Sequence, residues 1–193
     1  MEQLLIELVK HLGYLGIFIA TLIESTFIPI PAEVTMIPAG MLAAEGYFNY
    51  WGLLVTSTAG VLTGSLVNYW IGLRFGRAII IKYGSYVLLK HQHLMKTELF
   101  FAKYGKLAVF LGRLLVGVKH YIAFVAGIAR MRLKAFIIST SLGGLVWMWI
   151  ILHIGYMTKR SNTTVVGELE IILISVAVVT LIAWLIKRKF MKH

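Results

Sequence analysis

The chain contains no cysteine and no aspartate, and charged residues make up only 14% of its 193 residues. The lack of cysteine excludes a disulfide framework, a thiolate nucleophile and a cysteine-ligated metal. An average soluble domain has about 25% charged residues, whereas 59% of this chain is hydrophobic. A water-soluble core of this size cannot accommodate so much apolar surface. The composition therefore predicts an integral membrane protein.

Four long runs of the chain contain no Glu, Lys or Arg, and they lie at 12–23, 46–73, 135–158 and 171–186. A helix needs about 20 predominantly apolar residues to span a bilayer. The second and third runs meet this requirement and predict spanning helices at 49–73 and 134–156. The fourth predicts a C-terminal spanning helix at 165–187, with Glu168 and Glu170 at the interface.

The positive charge of the chain is concentrated in two regions. Of 19 basic residues, 12 lie between residues 74 and 134, and four more lie in the tail 187–193. Cytoplasmic loops collect Lys and Arg, so we expect a basic cytoplasmic interfacial segment at 74–106 and a cytoplasmic C-terminus. Lipid headgroups account for such an excess in a membrane protein. Membrane lipids are therefore the expected partners, and no nucleic acid is expected.

Two apolar segments are interrupted in ways that a single spanning helix does not tolerate. Pro29 and Pro31 lie inside the apolar segment 14–44, and proline removes an amide donor and clashes with the preceding turn. Each half is too short to cross a membrane, and the freed backbone groups need cover from protein or water. We therefore predict a re-entrant or broken-helix hairpin at 14–44. A second is predicted at 107–130, with its break at Gly117.

The two interrupted segments share a weak sequence repeat. Ala39-Gly40 follows the first break and Ala126-Gly127 follows the second, and each pair precedes a predicted spanning helix. One helix runs inward and the other outward if the charge rule holds. The segments 13–73 and 107–156 then form an inverted repeat, an arrangement common in secondary transporters. The predicted fold is a single, all-α polytopic membrane domain over 1–193.

Charged side chains occur inside both predicted hairpins. Glu24 and Glu33 lie in the first hairpin, and Arg113 and Lys119 lie in the second. A charge at a helix centre costs roughly 2.5–3.5 kcal/mol on insertion scales. We therefore expect the four to meet in a polar pocket. In one interpretation they are internal ion pairs that hold the hairpins together.

In the functional interpretation, Arg113 and Lys119 bind an anionic group, since a guanidinium suits phosphate oxygens. Glu24 and Glu33 compete for these cations and are candidates for proton coupling. Three polar residues are candidate lining for the pocket or, equally, form hydrogen bonds between helices: Ser65, Asn68 and His120.

The sequence offers no pattern for catalysis or for a metal. His91 and His93, with His120 distant in the chain, lack a metal-ligand spacing, and no nucleophile is paired with a base. We therefore predict no metal site, no cofactor and no enzymatic activity.

Several motifs occur in order over about residues 13–150: Gly13-Tyr14-Leu15-Gly16-Ile17-Phe18, Glu24, Pro29-Ile30-Pro31-Ala32-Glu33, Tyr69-Trp70-Ile71-Gly72, Phe110-Leu111-Gly112-Arg113, Lys119, Ala126-Gly127, Gly143-Gly144 and Trp147. Together they resemble the DedA family of membrane proteins. The resemblance implies a VTT (SNARE-associated) domain in a prokaryotic cytoplasmic membrane, with re-entrant hairpins in an inverted repeat. It also implies lipid translocation, with bacterial relatives linked to the return of undecaprenyl phosphate to the cytoplasmic leaflet.

The resemblance also assigns roles to residues. The functional acids and bases of the family fall on Glu24, Glu33 and Arg113, and a second arginine falls on Lys119. The chain departs from the family pattern at Lys119, at Ser65, where an aspartate is frequent, and after the Arg113 motif, where a proline is missing. These departures bear on which lipid and which coupling ion are used.

The function predicted from the sequence is translocation of an anionic lipid phosphate, most specifically undecaprenyl phosphate, across the cytoplasmic membrane. One alternative is a proton-coupled secondary transporter of a small solute. Another is a non-transporting membrane scaffold that docks partners through the basic segment 74–106. The sequence leaves open whether the chain forms a homo-oligomer.

Overall fold

The computed structural model describes residues 2–26, 32–76, 91–115 and 118–161. They form six helices and a π-helical turn, with no strand among them, which confirms the predicted all-helical class for this part of the chain. The helices are α1 (Glu2–Glu24), α2 (Glu33–Ala44), α3 (Tyr50–Ile71), α4 (His91–Leu114), α5 (Ile122–Ile128) and α6 (Leu133–Ser161), and the π-helical turn Gly72–Gly76 extends α3. The predictions for Pro29, Pro31, Gly117, the helix 165–187 and the tail 187–193 lie outside the described residues.

Two helical stretches are long and apolar enough to cross a bilayer, counting only the described residues. They are Tyr50–Gly76, with 27 residues, and Leu133–Arg160, with 28 residues, and 18-residue windows within them have mean hydropathies of 1.2 and 2.0. The first begins at a capped end, where Asn49 Oδ1 accepts a hydrogen bond of 2.9 Å from the amide of Gly52. Such a cap satisfies one of the free amides that open a helix.

The helices α3 and α6 pack antiparallel. The ring of Tyr50, at the start of α3, lies 5.4 Å from the ring of Tyr156 near the end of α6. At the opposite end, Tyr69 stacks on Phe136 with ring centroids 4.7 Å apart. The two long helices therefore form one central pair, and their contacts extend over most of their length.

Each long helix follows a pair of helices separated by a break. We call the segment between α1 and α2 the first break, and the segment between α4 and α5 the second break. The first helix of each pair packs on the long helix of its own half, α1 on α3 and α4 on α6. The second helix packs on the long helix of the other half, α2 on α6 and α5 on α3. The described residues that border the two breaks, Glu24 and Ser25 on one side and Lys119 and His120 on the other, thereby lie close together.

Small residues on α3 allow close contact with α1. A methyl group at Gly64 would lie 2.9 Å from Cβ of Ser25 and would overlap the carbonyl oxygen of Leu22. At Gly60 it would meet the carbonyl of Phe18. Glycines spaced by four residues favour such close approach of apolar helices. This packing fixes the end of α1, and with it Glu24, against the middle of α3.

Two helix boundaries differ from those expected from the sequence. The helix that carries Arg113 begins at His91, whereas the predicted second hairpin began at residue 107. The cause is that charged residues such as Lys103 and Lys106 do not end a helix, and the segment has no proline. The helix α1 begins at Glu2, whereas the predicted first hairpin began at residue 14. The helix is kinked at Gly13, whose φ of +58° is a value that glycine adopts readily.

Two apolar clusters form the core, one at each end of α3 and α6. The first includes Leu42, Leu53 and Leu152, and the second includes Val109 and Phe136. Polar side chains lie between them: Ser65 and Asn68 of α3, and Ser139 and Thr140 of α6, are all buried. The core is therefore polar at its centre and apolar at its ends.

Candidate functional site

A buried ion pair joins the two breaks. Glu24 is the last residue of α1, and Lys119 lies in the turn that precedes α5. Nζ of Lys119 lies 2.8 Å from Oε1 of Glu24, and the two side chains are 7% and 5% exposed. An ion pair that is withdrawn from water is stable only with good geometry and further polar partners.

Polar contacts from α3 hold the backbone on both sides of this pair. Nδ2 of Asn68 donates a hydrogen bond of 3.1 Å to the carbonyl of Ser25 and lies 3.5 Å from the carbonyl of His120. Nδ1 of His120 lies 3.1 Å from the carbonyl oxygen of Glu24. Asn68 and His120 therefore tie the first break to the second through backbone groups, which positions Glu24 opposite Lys119.

The indole of Trp147 forms another side of the pair. Nζ of Lys119 lies 5.0 Å from the centroid of this ring, a distance at which the ring face attracts a cation. Trp147 itself is 7% exposed. The ammonium of Lys119 thus lies between a carboxylate and an aromatic face.

Arg113 is the second buried cation of the site, and its partner is neutral. The side chain is 4% exposed, and a guanidinium Nη donates a hydrogen bond to Oγ of Ser65. Its Nε atom has no hydrogen-bond partner among the described residues. No described carboxylate lies within 4.0 Å of the Arg113 guanidinium, and the ion pair of Glu24 is with Lys119. Among the described residues that line the site, two cations therefore face one carboxylate.

The site lies near the middle of the long helices. Trp147 is the central residue of the 29 residues of α6, which places it about 21 Å from either end at 1.5 Å per residue. Ser65 is similarly central in the stretch Tyr50–Gly76. If these helices cross a bilayer, the charged groups lie near its midplane, where charge is most costly.

A small cavity of about 10 Å³ lies beside these charges, which is about the room that one water needs. It is lined by Glu24, Ser25, Val61, Arg113, Lys119, Gly144, Trp147 and Met148. One carboxylate oxygen, Oε2 of Glu24, has no partner among the described residues. The cavity thus has both acidic and basic walls and is too small for a phosphate group.

Most of the site residues expected from the sequence lie together here. Glu24, Arg113 and Lys119 surround the cavity. Ser65 bonds to Arg113, His120 lies against the carbonyl of Glu24, and Asn68 bonds to the carbonyl of Ser25, the neighbour of Glu24. Glu33 is half-buried at the start of α2, and no ion pair joins it to a cation in the described part of the chain. The breaks expected at Pro29, Pro31 and Gly117 lie outside the described residues.

Trp147 was not expected from the sequence as a site residue. A signal for it existed, because tryptophan in membrane proteins is enriched at the interfaces and Trp147 lies in the middle of an apolar run. Its indole nitrogen is buried without a hydrogen-bond partner among the described residues. Its position in the middle of α6, far from either end of the helix, indicates a contact other than interfacial anchoring.

The described residues include no group of three or more His, Asp or Glu side chains that could hold a metal ion. The ionisable groups that do meet are Glu24, Lys119 and Arg113. They can bind an anion and exchange a proton, but they do not form a nucleophile–base pair of the kind used in covalent catalysis.

Broken helices that meet at a buried charged site, packed on a central pair of helices long and apolar enough to cross a bilayer, are typical of integral membrane proteins. Residues 30–157 match the VTT domain, and this match covers more than half of the chain. The chain belongs to the VTT-domain (DedA) family.

Relatives include several bacterial membrane proteins. The chain is 35% identical over 153 residues to the uncharacterized membrane protein YbfM of Bacillus subtilis, covering 79% of this chain and 94% of that protein. It is 34% identical over 145 residues to undecaprenyl phosphate transporter A of Bacillus subtilis, covering 75% and 71% of the two chains. It is also 28% identical over 175 residues to an alkaline phosphatase-like protein of Lactococcus lactis, covering 88% and 82%. No solved structure matches the chain.

Proposed function

We propose that this protein is a membrane transporter that translocates a lipid phosphate, most specifically undecaprenyl phosphate, across the prokaryotic cytoplasmic membrane. The observation that carries the proposal is the pairing in the buried site: Lys119 is neutralised by Glu24, and Arg113 has no described carboxylate partner. A buried guanidinium at this depth is stabilised by an anion, and its planar fork suits a phosphate. A relative at 34% identity is named undecaprenyl phosphate transporter A, which supports this choice of substrate.

In this proposal α3 and α6 cross the bilayer together with the helix expected at 165–187. The cations Arg74, Arg130, Arg132 and Lys134 lie where α3 ends and α6 begins. This end of the two helices faces the cytoplasm, because cytoplasmic segments collect Lys and Arg. The reciprocal packing of the two broken pairs on the two long helices supports the inverted repeat of 13–73 and 107–156. The breaks then meet at the repeat interface, where such transporters bind substrate.

The charges of the site favour coupling of lipid-phosphate translocation to the uptake of a proton. With Glu24 ionised, the two cations leave the site with one excess positive charge. A phosphate monoester carries a charge of about −1.5 to −2 near neutral pH, so its arrival leaves an excess of negative charge. Protonation of Glu24 removes that excess and releases Lys119 to join Arg113 on the phosphate. Binding of the headgroup and uptake of a proton at Glu24 thus favour each other.

The cavity of about 10 Å³ holds about one water, so the site must widen to admit a headgroup. The segments that border it are the two breaks, joined to each other by Glu24–Lys119 and through Asn68. Release of the ion pair by the phosphate loosens one of these connections. The polyprenyl chain stays in the surrounding lipid while the headgroup crosses through the site.

Leaflet-specific movement of fluorescent undecaprenyl phosphate in proteoliposomes tests the proposal. Wild-type protein is compared with Arg113→Ala at several pH values, and size-exclusion profiles verify that both are folded. We expect movement with the wild type and loss of movement with Arg113→Ala. Movement that Arg113→Ala leaves unchanged would contradict the role of Arg113.

A parallel arm distinguishes the alternatives. Proton flux is measured in the same vesicles with inorganic phosphate in place of the lipid. Flux without lipid movement would indicate a proton-coupled solute transporter, and the absence of both from folded protein would indicate a non-transporting scaffold.

A further inference from the structure

A second basic site lies away from Glu24 and Lys119, beside the turn between α5 and α6. It is a groove of about 640 Å³, within the range of pockets that bind small molecules. We call it the basic groove. Its lining comprises Phe101, Ala102, Lys103, Tyr104, Gly105, Lys106, Leu107, Ala129, Arg130, Met131, Arg132 and Ala135. Four of these residues are cations, and no carboxylate is among the described residues that line it.

The position of the turn is fixed by its neighbours. Oη of Tyr69, on α3, donates a hydrogen bond of 2.5 Å to the carbonyl of Met131. On the other side, a methyl group at Gly105 of α4 would lie 3.3 Å from Sδ of Met131. Met131 is therefore held between α3 and α4. The groove between α4 and the turn is thus built by packed elements.

Arg130 occupies a backbone position that normally favours glycine. Its φ is +51°, the only positive value for a residue other than glycine in the described part of the chain. The amide of Met131 bonds to the carbonyl of Ala126, and that of Arg130 to Gly127, which is the pattern of a helix end that usually carries glycine. An arginine in this conformation is strained, and it is exposed in the groove. A role for the side chain accounts for its presence.

The cations of α4 connect the groove to the buried site. Lys106 follows Lys103 by three residues, and Arg113 follows Lys106 by seven, so the three cations lie on one face of the helix. Lys106 is exposed in the groove and Arg113 is buried in the site. At 1.5 Å per residue, about 11 Å along the helix separates these two residues. A phosphate bound at Lys106 is thus two helical turns from the guanidinium of Arg113.

We propose that the basic groove binds the phosphate headgroup of a membrane lipid at the surface of the bilayer and delivers it to Arg113 along this face of α4. The proposal rests on the proposed function, because it assigns a docking site to the same substrate. A lipid is the expected occupant because the four cations lie beside Leu107, whose apolar side chain is 42% exposed. The headgroup meets the cations while the chain remains against apolar surface.

The test uses the full chain in nanodiscs with a photoreactive benzoylphenylalanine in place of Leu107. Crosslinking to radiolabelled undecaprenyl phosphate is measured, with undecaprenol, which lacks the phosphate, as the ligand control. The same photoreactive group in place of Leu142, exposed on α6 outside the groove, measures non-specific contact. We expect phosphate-dependent crosslinking at residue 107 and not at residue 142. Equal crosslinking of undecaprenol would overturn the proposal.

The variants are Arg130→Gly and Lys106→Gln, alone and combined. Glycine suits the backbone at position 130, so Arg130→Gly should leave the melting temperature unchanged or raise it. We expect the combined variant to lower crosslinking at residue 107 by at least about tenfold, since the loss of a single charge-assisted hydrogen bond already costs about that factor. The matched control Lys134→Gln removes an exposed cation outside the groove and should change crosslinking less than twofold. An equal loss in the control would show a general effect of charge and overturn the proposal.

Translocation measured in parallel separates this proposal from the proposed function. Arg113→Ala should abolish translocation and keep crosslinking at residue 107. The groove variants should slow translocation at low lipid concentration and recover at high concentration. Translocation that survives Arg113→Ala would refute the proposed function, and crosslinking would still decide the groove. Translocation unaffected by the groove variants at every concentration, or equimolar competition by inorganic phosphate, would refute the groove as a docking site for the lipid.

Discussion

Nζ of Lys119 lies 2.8 Å from Oε1 of Glu24, across 95 positions of sequence, and this contact joins the two helix breaks. Two interpretations of the pair were open from the sequence, a structural tie and a functional switch. They differ in what happens when the pair is replaced by neutral groups. If the pair has a structural role alone, apolar side chains should be able to replace it without loss of transport. If it is a functional switch, the same replacement should abolish transport.

Removal of one partner should be more harmful than removal of both. Lys119→Met leaves the Glu24 carboxylate buried without its cation, which should destabilise the protein by about 3–5 kcal/mol. The double variant Glu24→Gln with Lys119→Met should recover most of that loss and remain unable to translocate lipid phosphate. Thermal unfolding in detergent and the proteoliposome assay measure the two effects. A double variant that transports normally would assign the pair a structural role alone.

The proton role of Glu24 predicts a pH response. The amide of Glu24→Gln can still accept a hydrogen bond from Lys119 but cannot be protonated. The loss of stability should therefore be smaller than in Lys119→Met, and translocation driven by a pH gradient should be lost. Glu45→Gln is the matched control because Glu45 is a surface carboxylate, 40% exposed. Leaflet-specific transport is measured on either side of neutral pH. Normal transport by Glu24→Gln at every pH would exclude the proton role.

The hydroxyl of Ser65 should orient Arg113. Ser65→Ala removes the described hydrogen-bond partner of the guanidinium, and we expect about a tenfold loss of affinity for lipid phosphate. Thr63→Ala is the control, since Thr63 is exposed on the same helix and bonds only to the carbonyl of Ala59 in the described contacts. Binding is measured by titration in nanodiscs. Equal losses in the two variants would show that helix packing, and not the orientation of Arg113, is responsible.

A surface ion pair should give a small acid-dependent loss of stability. Oε1 of Glu45 lies 2.7 Å from Nζ of Lys159, and the hydrogen bond from Lys159 lowers the pKa of Glu45 below its usual value. A lowered pKa means that the stabilisation is present above the unfolded-state pKa and is lost as the pH falls through the folded-state pKa. Both side chains are more than one third exposed, so the effect should be at most about 0.5 kcal/mol. Melting temperatures of Lys159→Gln and wild type should converge in acid, and a difference that persists there would contradict this origin.

Local composition determined the class of protein. The runs 46–73 and 135–158 contain no Glu, Lys or Arg and therefore predict apolar helices, and α3 and α6 lie there. Such runs can be recognised in the sequence because hydrophobicity is a property of adjacent residues. The motifs around Arg113 and Lys119 indicated the family, and the match of residues 30–157 to the VTT domain confirms it. The charges of the buried site could also be selected from the sequence, because ionisable residues are rare in such segments.

Only the tertiary structure decided how these charges are paired. From the sequence alone, Glu24 could be expected opposite either Arg113 or Lys119, and the packing of α1 and α5 on α3 places it beside Lys119. The contact of Trp147 with Lys119 and the groove between α4 and Arg130 likewise join residues far apart in the chain. Hydrophobicity is a local property that adjacent residues display, whereas an ion pair depends on the packing of whole helices. That difference is why the helices could be predicted from the sequence, whereas the position of the Arg113 guanidinium, without a described carboxylate partner, could not.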